Sequence, residues 1–162
     1  MKRLSLAIVT ILIHVTVMAK EIKTEIIIRS TPEKIWAILT DFEKYPDWNP
    51  FIRSITGTVE EGEKITVNIA PPKNKAMTFK PIILTKTENR ELRWLGSILF
   101  KGLFDGEHRF ELTDNGDGTV RFVHSEQFRG IFVWLFNTEN TRNGFIQMNQ
   151  KLKELAEAES AG

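Results

Sequence analysis

The 162-residue sequence contains no cysteine, which excludes disulfide bonds, thiolate zinc sites and cysteine nucleophiles together. Neither sign of charge is in excess. The 22 Lys and Arg against 21 Asp and Glu leave a formal charge of +1, too little to build a general field for nucleic acid or an anionic membrane. No uncharged run reaches the roughly 20 residues of a membrane-spanning helix. There is also no nucleophile elbow, no phosphate-cradling glycine loop and no zinc-protease helix, so the motifs imply no cofactor and no metal. Tyrosine occurs once and histidine three times, whereas there are 11 Phe and 4 Trp. Phe carries no polar handle, so the excess points inward, to a large core or an apolar cavity. With 41% apolar and 27% charged residues, the chain reads as one ordinary globular domain.

The N-terminus stands apart. Met1-Lys2-Arg3 is a basic start, and Leu4 to Ala19 carries no charge. This matches the apolar core of a secretory signal, with Val17 and Ala19 at −3 and −1 of a cleavage site. The alternative is an N-terminal extension upstream of a true start at Met18. Residues 1–19 are thus a signal peptide or an extension, and residues 20–159 form a single domain. The cytoplasmic location is the primary reading and export the alternative, if residues 1–19 are a cleaved signal.

Ile22, Thr24, Ile26 and Ile28 alternate with polar neighbours as in a half-buried strand. Ser30-Thr31-Pro32-Glu33 is a helix start, with a hydroxyl cap, a proline in the first turn and an acid at the positive end. Ile35, Trp36, Leu39 and Phe42 follow at helical spacing. Pro50 limits any second helix before it to a turn or two. From residue 52 to 129 the pattern predicts about six strands, among them Met77 to Thr87, Glu91 to Leu95, Glu107 to Thr113 and Thr119 to Arg129. Turn residues separate them, so successive strands pair as antiparallel hairpins. Pro81 within the first of these marks an edge or a bulge. Asp114-Asn115-Gly116-Asp117-Gly118 has a superficial likeness to a calcium loop, but its twelfth position is Ser125, and a hairpin turn is the better reading. Phe145, Met148, Leu152 and Leu155 form the apolar stripe of a last helix, and Gly144 just before them allows a close crossing or a bend.

This order, strand, two short helices, a run of strands and a long C-terminal helix, resembles the helix-grip fold of the SRPBCC superfamily. That superfamily includes START lipid-transfer domains, birch-pollen-allergen-like proteins, plant hormone receptors and polyketide cyclases. Thr31-Pro32-Glu33-Lys34-Ile35-Trp36, Tyr45-Pro46-Asp47-Trp48-Asn49-Pro50-Phe51, Leu92-Arg93-Trp94, Phe104-Asp105-Gly106-Glu107-His108-Arg109-Phe110 and Gly144-Phe145 with Met148-Asn149 are similar to the polyketide cyclase/dehydrase-like subgroup. The resemblance spans residues 20 to 157. It implies an α+β fold in which a curved antiparallel sheet of about seven strands wraps the C-terminal helix. It also implies a cavity between sheet and helix that takes a sterol, lipid, hormone or polyketide.

Strand alternation sends Val120, Phe122, His124, Glu126 and Phe128 to one face and His108, Phe110 and Leu112 to the same side of the neighbouring strand. The expected ligand-binding set is Trp94, Phe104, His108, Phe110, Phe122, His124, Glu126, Phe128, Phe145 and Met148. No residue is assigned a catalytic role. His108, His124 and Glu126 are its polar members. An ionised carboxylate in an apolar interior is costly unless paired, so Glu126 either bonds a histidine or an arginine, holds its proton, or is turned outward by a bulge. Two further roles stay open: anchoring a mainly apolar ligand, and general acid–base work by a histidine tuned by Glu126. Two histidines and a carboxylate could also form a non-haem metal triad, though the strand spacing does not call for one.

The resulting expectation is a carrier or binding domain for a hydrophobic small molecule, lipid-like, aromatic or polyketide-like. The alternative is a polyketide cyclase/aromatase-type enzyme. The expected partner is that small molecule, with no nucleic acid, and the chain is a monomer or weak homodimer. The apolar run Ile131 to Phe136 is either core and cavity lid or a surface for transient membrane contact.

Overall fold

A computed structural model describes residues 18–98 and 101–158. The segment read as a signal peptide or extension lies, up to residue 17, outside the described residues.

The first strand, β1 (Met18–Ile28), ends where Thr31 accepts a hydrogen bond from the Lys34 N–H and Pro32 opens α1 (Pro32–Thr40). Ile35, Trp36 and Leu39 bury one face of α1, and Phe42 follows them inward in a single 3-10 turn. The next helix, α2 (Tyr45–Trp48), is one turn long and stops at Asn49. The Asn49 Oδ1 accepts from the N–H groups of Phe51 and Ile52 at 2.9 and 2.8 Å, so the segment up to Phe51 is turn chemistry and packing.

Strands β2 (Ile52–Thr56), β3 (Thr66–Ile69) and β4 (Met77–Phe79) form a small antiparallel sheet. Strands β5 (Ile82–Thr87), β6 (Glu91–Ser97), β7 (Asp105–Asp114) and β8 (Val120–Gly130) join β1 in a second, in the order β1-β8-β7-β6-β5. The Met77–Thr87 stretch expected as one strand is therefore two. Pro81 divides it: lacking an N–H, it offers only its carbonyl, which accepts from Ile65 at 3.0 Å. That contact and a bridge between Lys64 and Ile82 link the two sheets. The count thus rises to eight strands in two joined sheets among the described residues. Asp114 to Gly118 is the β7–β8 hairpin turn, with Asp114 Oδ1 and Asp117 Oδ1 each accepting a backbone N–H two residues on.

The last helix, α3 (Glu139–Ala158), lies across β1 and α1. Its buried stripe runs Thr141, Gly144, Phe145, Met148, Asn149, Leu152 and Ala156, at the spacing of one helical face. Gly144 is a close crossing: a Cβ there would run into the ring of Phe51. The result is the helix-grip arrangement, with sheets curved around a C-terminal helix. No helix among the described residues is long and apolar enough to cross a membrane.

The run Ile131 to Phe136 is divided rather than uniform. Val133 is fully buried and Phe136 half-buried, whereas Phe132, Trp134 and Leu135 are 46%, 58% and 63% exposed.

Candidate functional site

The register of the large sheet lays its inward side chains in rows. One row is Ile22, Glu126, His108 and Trp94; the next is Thr24, His124, Phe110 and Leu92. The alternation of β8 runs without a bulge, so Glu126 points inward with its strand-mates. His108 stacks on Trp94, with ring centroids 4.5 Å apart and planes 3° from parallel. His124 stacks on Phe145 of α3 at 3.6 Å and 12°. Phe110 meets both imidazoles edge-on at 4.8 Å.

Polar atoms in this aromatic interior form one chain. The Thr24 hydroxyl donates to the His124 carbonyl at 3.1 Å, and the Asn149 Nδ2 donates to the Thr24 oxygen at 3.0 Å. Asn149 Oδ1 lies 2.9 Å from His124 Nδ1, and His124 Nε2 lies 3.1 Å from His108 Nε2. The far nitrogen of His108, Nδ1, faces Glu126 Oε2 at 3.5 Å.

These partners decide where the protons sit. A carbonyl can only accept, so the Thr24 proton is committed to it and the Thr24 oxygen accepts from Asn149. Asn149 therefore turns its oxygen to His124, whose Nδ1 must carry a proton. A neutral imidazole has one N–H, so His124 Nε2 accepts and His108 donates from its own Nε2. That leaves His108 Nδ1 bare, opposite the Glu126 carboxyl.

Electrostatics agree with an all-neutral chain. Burial holds His108 down at about 3, and it holds His124 well below its ordinary value, where the neighbouring His108 adds to the effect and the Asn149 bond opposes it. Burial pushes the Glu126 carboxyl up to about 8. Among the described residues no group of three or more His, Asp or Glu is placed to hold a metal ion.

A cavity of about 160 Å³ opens beside this chain. The small sheet contributes Ile69, Met77 and Phe79; the large sheet contributes Gly96, Ser97, Gly106, Glu126 and Phe128. Ile98, Phe104, Phe136 and Thr141 complete it. Its origin is a missing pair of side chains. Gly96 and Gly106 are register partners, and the row they share continues to Phe128. Where Leu92, Trp94, His108 and Phe110 fill the neighbouring rows, these two positions leave space. Phe79 and Glu126 lean into it: a Cβ on Gly96 would lie 3.2 Å from the Phe79 ring, and one on Gly106 would lie 2.7 Å from Glu126 Oε1.

Of the ten residues expected to bind ligand, Phe104, Glu126 and Phe128 line the cavity. Trp94, His108, Phe110, Phe122, His124, Phe145 and Met148 lie in the packed interior, none more than 4% exposed. His108 and His124 reach the cavity only through Glu126. The expected ligand-binding set left out the two glycines, Phe79 and the network members Thr24 and Asn149, while Phe136 entered only through the Ile131–Phe136 run read as core and cavity lid or as a membrane-contact surface. The signal for the glycines was present: Gly96 continues the Leu92, Trp94 alternation, and Gly106 continues Phe110, His108 backwards.

The family described as "Polyketide cyclase / dehydrase and lipid transport" matches residues 19–157. Among solved structures, the chain is similar to a START superfamily protein from Mycobacterium smegmatis, at 16% identity and a TM-score of 0.66 over 85% of this chain and 97% of that one. A Thalictrum flavum norcoclaurine synthase point mutant, in complex with a transition-state analogue, aligns at 15% identity and 0.68, covering 91% and 99%. The Zhui aromatase/cyclase from Streptomyces sp. R1128 aligns at 9% and 0.70, covering 86% and 94%. At these identities the structural likeness is one of fold. No curated protein sequence matches the chain.

Proposed function

The chain belongs to the polyketide cyclase/dehydrase and lipid-transport family, and from that premise we propose that it binds and carries a small, mainly apolar molecule in the cavity beside Glu126. The observation that carries this reading is the cavity wall itself, in which, among the described residues, aromatic and aliphatic side chains surround one carboxyl group. That is the usual make-up of a small-molecule site, apolar contact for affinity and few polar groups for orientation.

Volume bears on the choice between carrier and enzyme. An apolar cavity of about 150 Å³ accommodates one benzene ring, and pockets for larger organic ligands run to about 300–1,000 Å³. At about 160 Å³ the space suits one ring or a short chain. A cyclase must instead fold a long reactive chain within its walls. The cyclase reading needs a proton donor facing the cavity, and the Glu126 carboxyl, pushed up by burial to about 8, would supply one only with its O–H turned away from His108 toward the cavity.

Ligand entry from a lipid surface is part of the proposal. Phe132, Trp134 and Leu135 are exposed directly before Phe136, which lines the cavity. The Lys20 ammonium donates to the Phe136 carbonyl at 2.7 Å, so a cation sits at the base of the apolar group. The strand β1 begins at Met18, opposite Gly130, on this same edge of the sheet.

The test is toluene binding by the full-length chain, read by ligand-observed NMR. Gly96→Val places a side chain in the cavity and should abolish binding while the circular dichroism spectrum stays native. If toluene does not bind the wild type, or binds the variant equally well, the cavity is not the site.

A further inference from the structure

The cavity reading can be taken to a ligand class, because the hydrogen-bond chain behind Glu126 dictates which way its acid proton points. We propose that Glu126 presents a proton acceptor, not a proton donor, to the cavity, so that the site selects small aromatic or aliphatic molecules bearing a neutral hydroxyl, phenols above all. This rests on the cavity being the binding site.

The chain of polar groups runs from α3 to the cavity. Thr24 and Asn149 together place a proton on His124 Nδ1, and this forces His108 to donate from Nε2 and to face Glu126 with a bare nitrogen. A bare ring nitrogen beside a carboxyl favours the protonated acid and draws the proton to the oxygen it faces, Oε2. The other oxygen, Oε1, lies over Gly106, which lines the cavity. A protonated acid whose O–H is aimed at His108 exposes a carbonyl-type oxygen there, and a carbonyl-type oxygen only accepts.

The two histidines are the titratable groups that face Glu126, one from β7 and one from β8 through its neighbour. Among the described residues no other ionisable side chain lines the cavity. Burial keeps the acid protonated up to about pH 8, so the same polarity holds across the neutral range. A cationic amine gains no ion pair in that range.

Three rings of similar size separate the outcomes: toluene with no polar group, anisole with an acceptor and phenol with a donor. At pH 6.5 the full-length protein should bind phenol roughly three- to tenfold more tightly than anisole, the range of one net hydrogen bond. Glu126→Leu should reduce that preference to parity while toluene still binds. Glu126→Gln should keep it, because an amide can give its N–H to His108 and leave its oxygen in the cavity. Equal affinity for phenol and anisole in the wild type overturns the proposal and leaves the cavity function standing, provided toluene binds. So does tighter binding of anisole, which would mean that the proton points into the cavity. Retention of the phenol preference in Glu126→Leu overturns it as well. Absence of binding by all three rings overturns the cavity reading, and this inference with it.

Discussion

Asn149 and Gly144 lie on the same buried face of α3 and act in opposite ways, one by what it carries and the other by what it omits. Asn149 is buried in an aromatic interior, yet its amide oxygen and nitrogen both have partners and so settle the tautomers of two histidines. Asn149→Leu would leave the His124 Nδ1 proton and the Thr24 oxygen without their partner, which places it among the buried-polar losses of about 1–3 kcal/mol. Gly144 has no side chain because the Phe51 ring occupies the place of its Cβ, and Phe51 packs edge-on against Phe145 at 5.3 Å. In an open helix, alanine would gain about 1 kcal/mol over glycine. Here Gly144→Ala is expected to destabilise by about 1–3 kcal/mol, since overpacking forces a ring or the helix to move. Urea denaturation of the variant measures the balance, and a stabilised protein would show that Phe51 has room to yield.

At the scale of elements, the legible parts were those where period and chemistry agree. Thr31, Pro32 and Glu33 mark the start of α1, and Phe145, Met148 and Leu152 mark the buried face of α3, because capping and helical spacing are local properties. The Met77–Thr87 stretch misled because the partner of each half is non-local: β4 pairs with β3 and β5 with β6, and alternation cannot reveal a change of sheet at Pro81. The interior face of β8 was legible residue by residue, yet the cavity was misplaced toward Phe122 and Met148. A list of inward side chains says what can line a space but not where space remains. Glycine positions carry that information, and only the register of β6 against β7 brings Gly96 opposite Gly106. The segment after β8 shows the same limit, since an all-apolar run does not say which of its members turn outward. Phe132, Trp134 and Leu135 do so, and a lipid surface should bury them. Trp134 fluorescence is expected to shift to the blue with neutral phosphatidylcholine vesicles. The joint replacement of Phe132 and Leu135 by Ser should remove that shift without lowering stability. A shift retained in that variant, or none in the wild type, would assign these side chains no membrane role.

At the scale of the whole molecule, and among the described residues, three inward-facing groups, His108, His124 and Glu126, set the response to pH from acid to mildly basic conditions, burial having raised Tyr45 beyond that range. His108 and His124 bind a proton less readily in the folded state than their ordinary 6.5, with His108 near 3, so their contribution is complete above pH 6.5 and is lost as pH falls. Surface pairs act in the same direction: Arg121 lowers Glu25, Thr119 lowers Asp117 and Lys151 lowers Glu154, each losing its partner's benefit in acid. Glu126 works the other way. Raised from 4.5 to about 8, it holds a proton in the folded protein that the unfolded chain has released, and its contribution falls from pH 4.5 to 8. Between 4.5 and 6.5 two histidines outweigh one carboxyl; above 6.5 only the carboxyl still titrates. Stability should therefore peak near pH 6.5 and decline toward pH 8 by at most about 1.4 kcal/mol per pH unit, the limit for one proton. Glu126→Gln removes the decline and leaves the acid limb in place. Guanidinium midpoints at pH 5, 6.5, 8 and 9 for both proteins decide the matter. A wild-type profile that stays flat from 6.5 to 8 would mean that Glu126 is already ionised at neutral pH, and with it the neutral chain from Thr24 to the cavity would have to be abandoned.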